Sequence, residues 1–555
     1  MSEVQALLDR LVAQFASPYD FLRELVQNSM DAGSDRVEVV LEARPTDDDD
    51  DTHVYSLELM DTGCGMDEAI VDGELTRLFA SSKSDDRTMA GGYGIGFVSV
   101  FAWQPEAVLV QTGRAGEAWE VLFFPDRRFE KRAIEGPFEG TTVTLIRRGR
   151  ASEGAIFAEA IRDSLWRWCR FCKLELTFED RARGEPPELI QDSPEMAHGE
   201  LAWADTAGDA TIHVAFAAPP RVILLRRGLV LAEGDLELLP GLASTLGRAR
   251  EHLQIWADSP GLRTTMARDK VLTEGGLGPV EARVAAAIEG LRQRLCELIA
   301  AAAAASEPWD QARHGRYAFL HGHLERERAG LGPGIGGVAL LRDRAAARAI
   351  SGDALAQALG GLPLLYVGAA PLPAADEALL AEARAAGYPV IAGEAHDRGW
   401  LGGFAAAIGC PLMPLSSGLA RAESIEPLSA ELELLRAAVE GSLRRLSRGI
   451  FAEVSLKIGR FTGGGSPRAL VSRELGRSGE LALVLASGPP ARREACTLWL
   501  DHEEPLLRAA VKAATAAPAA AVLALVLAIA SSGGEVCDAE AALAAISAVA
   551  TGGGR

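Results

Sequence analysis

The chain has 555 residues, enough for about three or four domains of ordinary size, and its 48% hydrophobic and 24% charged residues are a globular rather than a disordered composition. Its 56 basic against 77 acidic residues leave a net charge of −21, which argues against a sequence-independent nucleic-acid binder, because coating phosphates takes an excess of Lys and Arg. Seven scattered cysteines make no disulfide framework, and the single C-x-x-C, Cys169 and Cys172, lacks the second pair a zinc ribbon needs, so both read as small apolar residues in a reducing, cytoplasmic setting.

In chain order, Val4, Leu7, Leu8, Leu11, Val12 and Phe15 recur at helical spacing and predict an amphipathic helix that Ser17-Pro18 breaks. A second helix is predicted from about Asp20 to Ala32, stopping at Gly33. Strands Arg36–Glu42 and Val54–Asp61 follow, and the five aspartates Asp47–Asp51 between them read as a solvated hairpin tip rather than a cation cage. Val108–Thr112, Ala118–Phe124 and Thr141–Arg147 read as further strands. Residues 183–210, polar and with Pro186-Pro187, read as a linker, followed by strands Thr211–Ala217 and Val222–Leu231. His321, His323 and Glu325 predict a solvated helix rather than a metal site, and Arg326–Arg328 a surface. Leu362–Gly368, Asp376–Ala386 and Tyr388–Gly393 read as a βαβ unit, and Ile425–Leu446 as a helix leading to short strands. Ala513–Ser532 is uncharged but mostly alanine, which predicts a buried helix at a subunit interface rather than a membrane span. No basic, then apolar, leader pattern opens the chain.

Three elements carry chemistry. In Arg23–Ala32, residues Glu24, Asn28 and Asp31 share one narrow helix face, since three and four positions at about 100° per residue return to it. A neutral amide oxygen on Asn28 suits a Mg²⁺ that takes its other ligands from phosphates and water. Glu24, one turn away, is placed to take a proton from an attacking water. The second element, Asp61-Thr62-Gly63-Cys64-Gly65-Met66, ends a strand, where an aspartate can accept from the exocyclic amino group of adenine while the glycines let backbone close on a flat base. The third, Gly91-Gly92-Tyr93-Gly94-Ile95-Gly96-Phe97, opens a helix, which sets free backbone N–H groups and a helix dipole against phosphates. The roughly 25 residues between the second and third elements suit a lid, with Lys83 near the terminal phosphate. No Gly-Lys pair exists for a Walker loop, and Gly91–Gly96 does not follow a strand as a dinucleotide fold requires. H-E-x-x-H and G-x-S-x-G are absent as well.

These elements resemble the ATP-binding boxes of the gyrase, chaperone, histidine kinase and MutL (GHKL) superfamily. FLRELVQNSMDA and GGYGIGFVSVF most resemble the heat-shock protein 90 chaperones of the bacterial HtpG type. The resemblance implies an α+β multidomain chain. It would comprise a GHKL (Bergerat) α/β sandwich ATPase domain over residues 1–185, an α/β middle domain over 186–420 and a mostly helical C-terminal dimerisation domain over 421–555. It further implies that Glu24 activates water, Asn28 binds Mg²⁺, Asp61 binds the adenine amino group, Gly65 and Met66 line the base pocket, and Lys83 reaches the γ-phosphate. Gly91, Gly94 and Gly96 would hold phosphates, with Asp31 and Phe97 beside the cofactor and Thr142 behind the adenine aspartate.

Arg226–Leu231 with Leu238-Leu239-Pro240 resembles the start of that family's middle segment, and Ser259–Leu262 with Ala267-Arg268-Asp269 the stretch that supplies a catalytic arginine. The implied role falls on Arg268, with Arg263 as substitute. Leu500–Leu506 and the apolar helix after it resemble the dimerisation segment. The resemblance implies a cytoplasmic, ATP-driven homodimeric chaperone that hydrolyses ATP to ADP and phosphate and acts on client proteins, binding neither nucleic acid nor membrane. The chain starts almost at the first helix and ends Gly552-Gly553-Gly554-Arg555, so strand exchange between protomers is in doubt and TPR co-chaperones are not expected. A MutL- or topoisomerase-type ATPase, a sensor kinase and a nucleotide-gated scaffold with little turnover are the competing readings. The sensor kinase lacks a histidine ahead of the first box, His53 being the earliest.

Overall fold

The computed structural model describes residues 17–46, 49–76, 95–126, 128–135, 138–193, 200–243, 246, 250–264, 271–272, 276–327, 336–446, 454–462, 471–478, 480–486, 496–514 and 518–531. The helix predicted over Val4–Phe15 lies outside them. The chain divides into two compact units, Met1–Leu291 and Arg292–Arg555. The boundary expected after residue 185 falls inside the first unit, and the one expected after residue 420 inside the second.

In the first unit, helix α1 (Phe21–Asp31) leads into strands β1 (Arg36–Thr46) and β2 (Asp49–Asp61), an antiparallel hairpin; Asp47 and Asp48 of the acidic run lie outside the described residues. Strands β3 (Ala107–Arg114), β4 (Glu117–Phe123), β5 (Phe129–Ala133), β6 (Gly140–Arg150), β7 (Glu175–Asp180) and β8 (Glu188–Leu189) complete an eight-stranded sheet, with helix α2 (Gly154–Cys169) between β6 and β7. Its order is β5-β4-β3-β6-β2-β1-β7-β8, with β1 and β7 the parallel pair. Alternation drives the strands: Val37, Val39 and Leu41 of β1, with Leu57 and Leu59 of β2, turn into one core. Phe21, Leu22, Leu25 and Val26 of α1 and Phe157, Ile161 and Leu165 of α2 cover that face. Cys169 and Cys172 are buried in the same core, as small apolar residues would be.

A second sheet follows, from β9 (Ala202–Asp205), β10 (Thr211–Phe216), β11 (Arg221–Arg226), β12 (Leu229–Gly234) and β13 (Leu253–Asp258), ordered β12-β11-β13-β10-β9. Two expectations are corrected here. The single strand predicted over Val222–Leu231 is a hairpin, because Arg227 and Gly228 take φ of +53° and +86° and turn the chain. The linker predicted over 183–210 carries β8 and β9, each an edge strand of its sheet.

The second unit opens, beyond helix α3 (Gly278–Ala304), with helix α4 (Gln311–Glu327). This helix is not solvated as predicted. His314, Tyr317, His321 and Leu324, three or four residues apart, form a buried stripe, and His321 stacks on Trp400 with ring centres 4.1 Å apart. Burial holds His321 well below the usual histidine range, at about 4, so it is a neutral core side chain. Glu327, predicted to lie on a surface, is buried and accepts from Arg292 at 2.8 Å.

A five-stranded sheet then forms from β14 (Leu341–Asp343), β15 (Arg348–Ile350), β16 (Leu364–Val367), β17 (Val390–Ala392) and β18 (Leu412–Pro414), with helices α5 (Gly352–Leu359), α6 (Ala374–Ala385) and α7 (Arg398–Ala407) in the connections. The βαβ reading holds: β16, α6 and β17 form it, and the two strands are parallel. Strands β19 (Leu419–Ser424), β20 (Val454–Thr462), β21 (Val471–Ser478), β22 (Leu481–Ala486) and β23 (Cys496–Asp501) close a barrel in the order β19-β20-β23-β21-β22. Helices α8 (Ala430–Leu446), α9 (Pro505–Ala514) and α10 (Pro518–Ser531) pack on it through Leu435, Val439, Leu507, Leu525 and Val526. Helix α8 starts five residues later than predicted, where the Ser429 hydroxyl accepts from the Leu432 N–H. Among the described residues no helix is long and apolar enough to cross a membrane.

Candidate nucleotide-binding site

The end of β2 and the last turns of α1 meet because the chain reverses tightly between them. Gly33 takes φ +75°, its N–H and that of Ser34 donate to Met30 and Ser29 carbonyls, and β1 starts at once. β1 pairs with β2 so that Val37 faces Asp61, which brings the Asp61 carboxylate beneath the helix. Its Oδ2 accepts from the Ser29 hydroxyl at 3.0 Å, and its Oδ1 from the N–H of Gly63 at 2.8 Å and of Thr141 at 3.2 Å. Burial pushes the Asp61 carboxyl above its usual range, and these three donors offset that only in part. The register places Asp61, Thr141 and Thr112 side by side across β2, β6 and β3. Thr112 Oγ1 accepts from the Met66 N–H at 2.9 Å and lies 3.1 Å from the Thr141 hydroxyl.

Glu24, on the same helix, is 2% exposed, with Oε1 3.6 Å from Arg23 Nε. The Arg23 guanidinium in turn lies 4.5 Å from the centre of the Trp168 ring. The helical turn Ile95–Val98 comes against Glu24 so closely that a Cβ on Gly96 would stand 2.8 Å from Glu24 Oε2. Helix α1 thus carries a buried glutamate met by a glycine, and its Ser29 joins it to an aspartate ringed by donors at a strand end.

Residues 17–136 match the sequence profile of the family described as histidine kinase-, DNA gyrase B-, and HSP90-like ATPase. This segment is a GHKL nucleotide-binding domain. No curated protein matches the chain significantly.

Within the GHKL domain, the structure sets Gly96 against Glu24, and joins the loop of Gly65 and Met66 to Thr112, which lies across β6 from Asp61. The Asn28 side chain is exposed and makes no hydrogen bond with another described residue, which leaves its amide oxygen open to a cation that carries its own phosphate and water ligands. That donor set fits Mg²⁺ held jointly with a nucleotide, since one neutral oxygen alone does not make a dedicated cage.

The other assigned residues are placed as follows. Thr142 pairs with Met60 rather than Asp61, so its side chain lies on the opposite face of the sheet; Thr141 occupies the position beside the aspartate. Asp31, at the C-terminal end of α1, pairs with Arg227 at 2.8 Å on the β11–β12 turn. Phe97 is 6% exposed and packs on Phe123 with ring centres 5.3 Å apart, so it belongs to the core. Gly65, at φ +63°, is required by backbone: a Cβ there would stand 1.9 Å from the Gly113 carbonyl oxygen. Lys83, Gly91, Gly94 and Arg268 lie outside the described residues. Arg263, the alternative arginine, is exposed.

Sequence reasoning missed Ser29, Thr112, Thr141 and Arg227. Ser29 stood inside the recognised helix motif, one residue from Asn28. The Gly140-Thr141-Thr142 pair offered two threonines, and only sheet register separates the inward one from the outward one.

Proposed function

We propose that the chain is an ATP-dependent molecular chaperone of the heat-shock protein 90 type, a homodimeric clamp that hydrolyses ATP through the site around Asp61 and Glu24. The observation that carries the nucleotide part is the Asp61 carboxylate, fixed by Ser29, Gly63 and Thr141 at the end of β2. A carboxylate held rigid by donors is a selective acceptor for an exocyclic amino group, because an incorrect base leaves it buried and underpaired. Glu24 would act as the base that takes a proton from water as it attacks the γ-phosphorus, with ADP leaving and Arg268 or Arg263 meeting the charge that builds on the transferred phosphoryl group. Bound Mg²⁺ would draw charge from the phosphate oxygens.

The chaperone part rests on the likeness of FLRELVQNSMDA and GGYGIGFVSVF and on the weaker likeness of 226–240, 259–269 and 500–506. Leu523 and Leu527, one turn apart on α10 and each 58% exposed, support a C-terminal dimer contact. The net charge of −21 speaks against the MutL- or topoisomerase-type alternative.

Two variants test the site. Asp61→Asn should lose ATP affinity by about 1.5–3 kcal/mol in calorimetry, the worth of a charge-assisted hydrogen bond. Glu24→Ala should keep binding and lose turnover by about 10²–10⁴-fold. Unchanged binding in the first removes Asp61 from the site, and normal hydrolysis in the second removes Glu24 from catalysis. Prevention of aggregation of a denatured protein, with and without ATP, separates the chaperone from a scaffold.

A further inference from the structure

The five-stranded sheet of the second unit has a feature that ATP chemistry in the first unit does not use. Strand β16 is parallel to both of its neighbours, β17 on one side and β18 on the other. The chain leaves β16 through α6 to reach β17, then leaves β17 through α7 and passes back beyond β16 to β18. Successive crossovers thus travel in opposite directions. Right-handed connections then put α6 and α7 on opposite faces, so the loops that follow β16 and β17 part from each other. Open α/β sheets bind ligands at such a parting, outside the carboxyl ends of the strands.

A cavity of about 400 Å³ opens there, lined from the loops after β16, β17 and β18. That is within the range of small-molecule sites and ample for a ligand of ten or so heavy atoms. Its apolar wall includes Leu372, Pro414 and Leu415, and its charged groups are Asp376, Glu394 and Arg398. Glu394 is already engaged: its carboxylate caps the turn before α7 and accepts from the Ala369 N–H at 3.4 Å. Asp376 and Arg398 are different. Neither makes an ion pair or side-chain hydrogen bond with another described residue, and they do not pair with each other.

The sequence explains why Asp376 is left over. It stands three residues after Pro373, the N-cap of α6, where a carboxylate ordinarily reaches back to the N-cap N–H. Proline has no N–H, so the capping box cannot close. The carboxylate is half-buried, and burial alone raises its pKa above the usual aspartate value. A half-buried acid and an exposed base that line one small cleft without pairing with each other are complementary to a molecule that carries both charges.

We propose that this cleft is a binding site for a small zwitterion of the free α-amino acid class, whose ammonium group donates to Asp376 and whose carboxylate accepts from Arg398. The apolar wall takes the ligand's side chain, and Ser416 lines the same cleft. Neither charge on the protein is a nucleotide contact, so the site stands or falls apart from the ATPase reading.

The test is calorimetry on the full chain with each standard L-amino acid, and with the N-acetyl and α-amide derivatives of any that binds. At least one free amino acid should bind, and each derivative, lacking one of the two charges, should bind about tenfold or more weakly. Asp376→Asn and Arg398→Gln should each weaken the free amino acid to the same degree while ATP affinity and the circular dichroism spectrum stay those of the parent. No binding by any free amino acid at about 10 mM overturns the proposal. So does a derivative that binds as tightly as its parent, which would point to a peptide end instead, and so does binding that survives both substitutions.

Discussion

Replacing Gly96 by alanine should separate positioning of the attacking water from nucleotide binding. The added methyl would stand 2.8 Å from Glu24 Oε2, whereas carbon and oxygen in such contacts keep about 3.3–3.6 Å. Either the carboxylate or the helical turn must therefore give by about 0.5–0.8 Å. Glu24 has little room to retreat, since it is 2% exposed and its other oxygen is drawn 3.6 Å from Arg23, whose guanidinium is itself laid on Trp168. A general base moved by something approaching 1 Å costs about 10²-fold in rate. Gly96→Ala should then lower steady-state ATP turnover by about 10–100-fold. ATP affinity should remain within about threefold of the parent, because the Asp61 cradle is untouched. Turnover is followed by phosphate release and affinity by calorimetry on the same preparation. Parental turnover would refute the spacing argument. A parallel collapse of affinity would show instead that Gly96 matters as a phosphate contact and not as a spacer.

Burial holds the Asp61 carboxyl above its usual range, so ATP affinity should fall as pH drops through that raised value, while exposed aspartates are still ionised; Asp61→Asn should flatten this profile. Unfolding is not the cause of that loss, because a carboxyl with a raised folded-state pKa takes up its proton with a gain in stability as pH falls. Gly65→Ala places a Cβ 1.9 Å from the Gly113 carbonyl oxygen at φ +63°, and should cost at least about 3 kcal/mol in urea unfolding; a loss under about 1 kcal/mol would mean the loop moves freely. The Arg227–Asp31 pair is 61% and 39% exposed, so Arg227→Ala should cost only about 0.2–1 kcal/mol. Asp31→Ala should leave ATP affinity unchanged, and a large drop in calorimetry would restore Asp31 to the nucleotide site.

Helix α1 was legible because all the needed information lies within one stretch of chain. The apolar positions Leu22, Leu25 and Val26 and the polar Glu24 and Asn28 are separated by helical spacing, and spacing alone sorts core from site. Asp61 was legible for a related reason, being an acid that ends a run of alternating apolar residues. Thr141 was not. Whether it or Thr142 meets Asp61 depends on pairing between segments 80 residues apart, and a shift of one residue exchanges the two faces. Arg227 and Asp31 are separated by 196 residues, and no local pattern joins them. The histidines of α4 were misread because polarity was taken for exposure. His321 lies 3.1 Å from the Leu340 carbonyl oxygen through Nε2 and is stacked on Trp400, so a partnered imidazole occupies a core position that apolar counting would not assign to it.

The glycines show most clearly where sequence reading stops. Gly63 and Gly65 were read as room for a base, and Gly96 as a phosphate contact, because a missing side chain allows close approach by something. The structure says what approaches. For Gly63 it is the Cβ of Ala32, 2.7 Å from where its own Cβ would stand; for Gly65 and Gly140 it is backbone, the Gly113 and Asp61 carbonyl oxygens at 1.9 and 2.2 Å; for Gly96 it is the carboxylate of Glu24 at 2.8 Å. Gly65 and Gly140 are therefore fold requirements that hold Asp61 and its loop in place, and a methyl at either meets a carbonyl that cannot yield. Gly96 meets the end of a side chain that can yield, at the expense of its alignment. The same residue type thus predicts loss of folding in one place and loss of rate in another, and the rigidity of the opposing atom decides which.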